Sequence, residues 1–283
     1  MRVRPAAVAG RFYPADPAAL ADLVDGLLRG VHLDVRPGVR PAVRPARPVA
    51  VVAPHAGYRY SGAVAAAAHA CLACRREAVG RVVVLGPAHL VPLDGMAVPT
   101  VDAFATPLGP VEVDADARTA AAASPHVALD DAPHVGEHSL ETQLPFLVRT
   151  LGPAVRVLPV LVGRTPPPAV AALLDALLPL GGTVAVVSTD LSHFLGDRAA
   201  RERDRRTADA VLARDAAALG PADACGHHPL RGLLHSAAER DLDVELLRLA
   251  TSADSGADPR RVVGYGAFLL SDAGPRAPGG RTP

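Results

Sequence analysis

The stretch PVAVVAPHAGY, residues 48–58, decides how the chain is read. From Pro48 to Ala53 no polar residue interrupts the run, and half of its positions are Val. Strict alternation would mark a strand with one wet face; an unbroken apolar run of this length marks a strand buried on both faces. Three more runs have the same character: RVVVLGP (81–87), VRVLPVLVG (155–163) and GTVAVVS (182–188). The segments between them read as helices. One is Ala-rich over 62–73, one spans 139–151 with Pro145 as a kink point, and one spans 166–178 with its prolines in the first turn. A long charged helix is expected over 199–218 and another over 230–240. Residues 112–123 begin as a strand and turn helical. Two late strands cover 244–251 and 262–270. Strands alternating with helices predict an α/β fold, a mostly parallel central sheet flanked by helices. No repeat or shift in composition divides the chain, so one domain is expected over 1–273. The Arg/Pro-rich segment 34–48 reads as a solvated loop, and the tail 274–283 as disordered.

Composition narrows the function classes. The 283 residues carry 29 cationic side chains, all Arg, against 29 acidic ones, for a net charge of zero. With 49% hydrophobic residues the chain can build a full core, and whole-chain disorder is excluded. No net positive field is present to gather phosphates, so no nucleic-acid partner is expected. Cys71, Cys74 and Cys225 are too few for a disulfide framework. No run of 18 apolar residues predicts a membrane span, and MRVRPAAVAGRFYP lacks the apolar core of a signal peptide. A reducing cytoplasm is the expected compartment.

In open α/β sheets, ligands bind beyond the carboxyl ends of the strands. Three of the predicted strands deliver a histidine there. Pro54-His55-Ala56-Gly57 follows the first, Gly86-Pro87-Ala88-His89 the second, and Ser188-Thr189-Asp190-Leu191-Ser192-His193 the fourth. In a parallel sheet these imidazoles meet in one crevice, and a group of imidazoles suits a transition metal. Two other motifs stay open. In Glu137-His138-Ser139 the serine either caps a helix with Glu and His in its first turn, or Glu137 and His138 face the crevice. Cys225-Gly226-His227-His228 offers a thiol and two imidazoles, a set suited to Fe(II), Cu or Zn; the bland reading is a buried free cysteine. Cys71-Leu72-Ala73-Cys74 has redox-motif spacing but lies late in a helix, where no dipole activates a thiolate. The run 201–206 reads as a solvated helix face. Gly57 to Gly62 lacks the Lys and the spacing of a nucleotide-binding loop, and no G-x-S-x-G elbow supports a serine hydrolase.

The motifs VVAPHAGYRYSG, VVLGPAHLVPLDGMA, DAFATPLG, GEHSLETQLPFL, LPVLVG, VVSTDLSHF and ACGHHPL occur in this order, after AGRFYPADP at 9–17. Together they resemble the Memo family, whose prokaryotic members are called AmmeMemoRadiSam system protein B. The resemblance covers roughly residues 5–271. It implies a fold like that of the class III extradiol dioxygenases, which are non-haem iron enzymes. It implies a metal held by His55, His89 and Cys225. It implies His193 as the acid/base residue, Asp190 setting its tautomer or acidity, and His138 in the same pocket as a hydrogen-bond partner for bound oxygen. Leu90 departs from the pattern, where many members carry a second His, but that position is not a ligand. Fe(II) is the first expected cofactor, with Cu or Zn as alternatives. The implied function is a dioxygenase- or oxidase-like redox enzyme with radical-SAM and AMMECR1-like partner proteins. A scaffold binding metal or peptide, and a Zn-dependent hydrolase, are the rival expectations.

Overall fold

The computed structural model describes residues 1–31 and 47–272. The expected disordered tail, and all but the last two residues of the 34–48 loop, lie outside the described residues. Six long strands are β1 (Pro48–Ala53), β2 (Arg81–Pro87), β3 (Arg156–Val162), β4 (Thr183–Ser188), β5 (Asp243–Thr251) and β6 (Val262–Ser271). The helices are α1 (Pro17–Arg29), α2 (Tyr58–Ala70), α3 (Ala115–Ala122), α4 (Leu144–Leu151), α5 (Pro167–Leu177), α6 (Asp197–Leu212) and α7 (His227–Glu239).

The α/β architecture is as expected. At the centre β1, β4, β2 and β3 run side by side and parallel. Both flanks then reverse: β6 is antiparallel to β1, β5 is antiparallel to β6, and a three-residue strand at Met96–Val98 is antiparallel to β3. The sheet is therefore mixed, with its parallel part in the middle.

The unbroken apolar runs follow from two covered faces. Val52, Val83, Leu85, Val160 and Val187 face the side covered by α5 and α7. Val51, Val82, Val84, Val184 and Val186 face the side covered by α2 and α4. Both side-chain sets of each central strand are thus removed from water, and each fully buried Val contributes about 1.5–3 kcal/mol.

Several boundaries move for local reasons. α1 has no counterpart among the expected elements; the Asp16 side chain accepts from Ala19 N at 2.8 Å and Pro17 sits at the first helical position. α2 starts four residues earlier than expected, at Tyr58. Pro145 kinks nothing, because a 3₁₀ turn at Glu141–Gln143 precedes it and α4 begins at Leu144. α6 stops at Leu212, and the chain turns at Arg214, which has φ 57°. No described helix is long and apolar enough to cross a membrane.

Candidate metal centre

Register brings the site together. Val52 pairs with Val187, and Val187 with Leu85, so the three strands end level. His55, Asp190 and His89 follow within four residues and emerge at the same carboxyl edge. Cys225 arrives from the turn before α7, where Gly226 lies against the end of β4. A Cβ on Gly226 would stand 2.7 Å from Thr189 Cβ and 3.0 Å from Ser188 O, so a larger residue would push Cys225 outward. His138 comes from the loop before α4.

These side chains meet. His55, His89 and His138 each bring one ring nitrogen within 4.8 Å of the others. Their ring centroids lie 5.2 Å (His55–His89), 5.3 Å (His55–His138) and 4.7 Å (His89–His138) apart. The Cys225 Sγ stands 3.3 Å from His55 Nε2. His193 lines the same cavity as His89 and Cys225, a space of about 460 Å³. Asp190 is buried; its Oδ1 accepts the His55 backbone N–H at 2.8 Å and its Oδ2 lies 4.0 Å from His55 Nε2.

Donor counting settles the imidazole tautomers. Ser188 has one hydroxyl proton, and it goes to the Ser139 carbonyl at 2.5 Å, which can only accept. Toward His55 Nδ1, at 3.0 Å, Ser188 must then accept, so Nδ1 of His55 carries the proton and Nε2 keeps the lone pair. His89 Nδ1 donates to the Glu137 carboxylate at 2.9 Å. Nδ1 of His138 faces the same oxygen at 3.3 Å. His193 Nδ1 donates to the Leu191 carbonyl at 2.8 Å. The rings of His55, His89 and His193 are held through Nδ1, and Nε2 of His55 turns to the Cys225 thiol, the arrangement by which proteins orient metal-binding histidines.

Glu137 is the organiser. It accepts from the backbone N–H of His89 at 2.6 Å, and from His138 and Ser139 at 2.9 Å each, besides the His89 ring. Burial pushes its pKa up, but the hydrogen bond and charge of His89 and the backbone N–H groups win, holding it well below the carboxylate range. Behind His55 runs a buried polar chain. Gln143 donates to Ser188 Oγ at 2.9 Å and to Pro54 O at 3.0 Å, and accepts from His69 Nε2 at 2.8 Å. Burial, and then the neighbouring His89 and His138, press the His55 pKa well below its ordinary value. Burial raises Asp190, and burial with the Asp190 charge pushes the Cys225 thiol up to about 12.

Of the residues expected here, His55, His89, His138, His193, Asp190 and Cys225 share this crevice. Of the two readings of Glu137-His138, the crevice-facing one matches the geometry. His227 and His228 do not join; they open α7 and pair with each other, ring centroids 4.1 Å apart. Cys71 and Cys74 lie beyond the far end of α2, about 20 Å of helix from Tyr58. Sequence reasoning did not find Gln143, Ser188 or Phe12. The Phe12 ring sits 4.9 Å from that of His138, and the Phe12 carbonyl accepts from Tyr58 N at 2.8 Å. Glu141 anchors this N-terminal strap through Arg4 (2.5 Å), Ala7 N (2.7 Å), Val8 N (2.9 Å) and the Tyr13 hydroxyl (2.6 Å). No sequence spacing signals such a contact, since 128 or more positions separate the partners.

Fold and site define an α/β protein with a histidine-rich crevice, able to hold a metal, at the carboxyl edge of a mixed sheet. The family model of the Memo-like proteins matches residues 4–269, and the chain belongs to the Memo family. It is 36% identical to a MEMO1 family protein of Methanopyrus kandleri, over 94% of this chain and 98% of the relative. Identity to a MEMO1 family protein of Methanothermobacter thermautotrophicus is 34%, over 93% and 98%. Identity to one of Aquifex aeolicus is 36%, over 72% of each chain.

Proposed function

We propose that this chain is a metal-dependent redox enzyme of the dioxygenase or oxidase type, acting in the AmmeMemoRadiSam system with radical-SAM and AMMECR1-like partners. The carrying observation is the group of imidazoles, those of His55, His89 and His193 held through Nδ1, with the Nε2 of His55 beside a thiol. Such a donor set fits a transition metal. His55, His89 and Cys225 are the proposed ligands, and His138 is close enough to add a third nitrogen. Fe(II) is the first choice and Cu the second. When bound, such a metal supplies one-electron chemistry and activates oxygen.

The chain's own residues do the rest. Glu137 and Ser188 hold the His89 and His55 rings in one tautomer. Asp190 fixes the backbone at His55, and its charge lies beside His193. His193, wired through Nδ1 to a carbonyl, takes up or releases a proton at Nε2. The Nε2 of His138 would add a ligand nitrogen or accept a hydrogen bond from a hydroxyl group of a substrate. Phe12 packs its ring edge-on against that of His138, which stays partly exposed.

One observation favours a second reading. Three imidazoles within 4.8 Å are also a Zn donor set, and a hydrolase would use it. Anaerobic purification with elemental analysis and an oxygen-consumption assay separates the readings. Iron or copper with oxygen uptake supports the redox enzyme. Zinc with ester or amide turnover supports the hydrolase. Partner binding that is indifferent to metal removal, without turnover, overturns both in favour of a scaffold.

A further inference from the structure

We infer that the crevice takes a small molecule carrying a carboxylate, and that Arg203 anchors it; the inference rests on the metal-centre reading for the other end of that molecule. The cavity of about 460 Å³ is within the range of small-molecule sites. His89, His193 and Cys225 line it together with Leu195, Pro221, Ala222 and Arg203, the single Arg among its lining residues.

By sequence Arg203 belongs to a mixed charge run on a helix. The structure separates it from its neighbours. Arg198 is engaged by Glu202 at 3.1 Å, and Arg201 by Asp197 at 2.9 Å and Asp254 at 2.7 Å. Arg203 is two-thirds buried and makes one hydrogen bond, from Nη1 to the Ala222 carbonyl at 3.3 Å. The nearest carboxylate, Asp223, stands 3.9 Å away, beyond hydrogen-bond distance, and turns its other oxygen to Gly220 N at 2.9 Å. The guanidinium is thus held at the cavity beside Asp223 in an ion pair too long for a hydrogen bond, with one N–H group given to the Ala222 carbonyl.

A planar fork with free N–H groups recognises a planar oxyanion, and apolar walls strengthen that field. The fork matches the two oxygens of one carboxylate, and the Asp223 and Asp204 charges close to Arg203 disfavour a phosphate dianion. The ligand defined this way has a metal-seeking donor for the histidines and a carboxylate for Arg203, with Leu195, Pro221 and Ala222 as apolar lining.

The test compares two chelating probes on the Zn(II)-loaded full chain: acetohydroxamate, which is neutral beyond its chelating head, and the monohydroxamates of succinic and glutaric acid, which add a carboxylate. In the wild type a carboxylate-bearing probe should bind about 10-fold tighter, the scale of one charge-assisted hydrogen-bonded pair. Arg203→Met should abolish that gain and leave acetohydroxamate affinity unchanged; Arg203→Lys should restore part of it. Equal affinity of the probe types for the wild type, or a gain that survives Arg203→Met, overturns the inference. If acetohydroxamate fails to bind the zinc-loaded wild type, the metal-centre reading fails instead. Glutarate binding to the metal-free chain then decides the anchor: Arg203-dependent binding keeps it and no binding removes it.

Discussion

Two regions of this molecule carry residues that chemistry could use, and they are built differently. At the carboxyl edge of the sheet, His55, His89 and His193 have their Nδ1 committed to acceptors fixed in place, Ser188, Glu137 and the Leu191 carbonyl. At the end of α2, Cys71 and Cys74 have redox-motif spacing, yet each thiol merely donates back to a nearby carbonyl, Ala67 O at 3.4 Å and Cys71 O at 3.3 Å. Burial pushes the Cys71 thiol up to about 12, as it does Cys225, so acidity does not separate the two regions and the neighbours do: Cys225 faces the His55 ring, Cys71 only a helix carbonyl. The contrast teaches that spacing is a weak sign of a site and that committed neighbours are a strong one.

The comparison breaks most sharply at the ligands. His55→Ala and His89→Ala should each weaken metal binding by more than about 100-fold, beyond the 10–100-fold expected for residues behind the ligands. Anaerobic titration against a chromophoric chelator measures it, and circular dichroism should stay native because the core does not depend on the metal. A variant that binds as tightly as the wild type would remove its residue from the ligand set.

His193→Ala should keep the metal and lower oxygen consumption by about 10²–10⁴-fold, the usual effect of removing a positioned acid/base group. Loss of metal in this variant would make His193 a ligand instead. Glu137→Gln should cost about 10–100-fold in metal affinity. An amide presents an NH₂ group where Glu137 now receives N–H groups, so the His89 ring loses its orientation. Nitrogen NMR of the ring should report a changed tautomer in that variant; an unchanged spectrum and affinity would refute the organising role.

The next expected effect is on stability. Burial lowers His69 and His134 to about 4. In the unfolded chain both titrate near 6.5, so below that pH the unfolded state binds more protons. Their contribution is therefore full above about pH 6.5 and falls away as pH drops toward 4. Between pH 7 and pH 5 the loss is about 2 kcal/mol per imidazole, readable as a lower urea midpoint. A midpoint that does not move over this range would show that these rings are not held neutral.

The four central strands were open to sequence reading because both faces of each are buried, so no polar position interrupts Val49 to Ala53 or Val82 to Leu85. The short flanking strands were not, because Met96–Val98, Val127–Leu129 and His193–Leu195 are each three residues long and carry no period. In the site, His55, His89 and His193 announced themselves by following strands. Glu137 was noticed without its role, since that role needs His89 and His138 from separate loops on one carboxylate. Ser188 looked like the last residue of an apolar strand, and only the Ser139 carbonyl opposite it reveals what its hydroxyl does. Arg203 hid in a charge run that the structure splits, with Arg201 paired to Asp197 and Asp254 and Asp204 buried against the Ser192 N–H.

The smallest expected effect, none in Cys71→Ser/Cys74→Ser, belongs to the most direct measurement of the comparison: elemental analysis of anaerobically purified wild type, Cys225→Ser and that double variant. The account predicts a bound transition metal in the wild type, the same content in the double variant, and strong loss in Cys225→Ser. Full metal content in Cys225→Ser, or loss in the Cys71/Cys74 double variant as complete as that expected for Cys225→Ser, would contradict it.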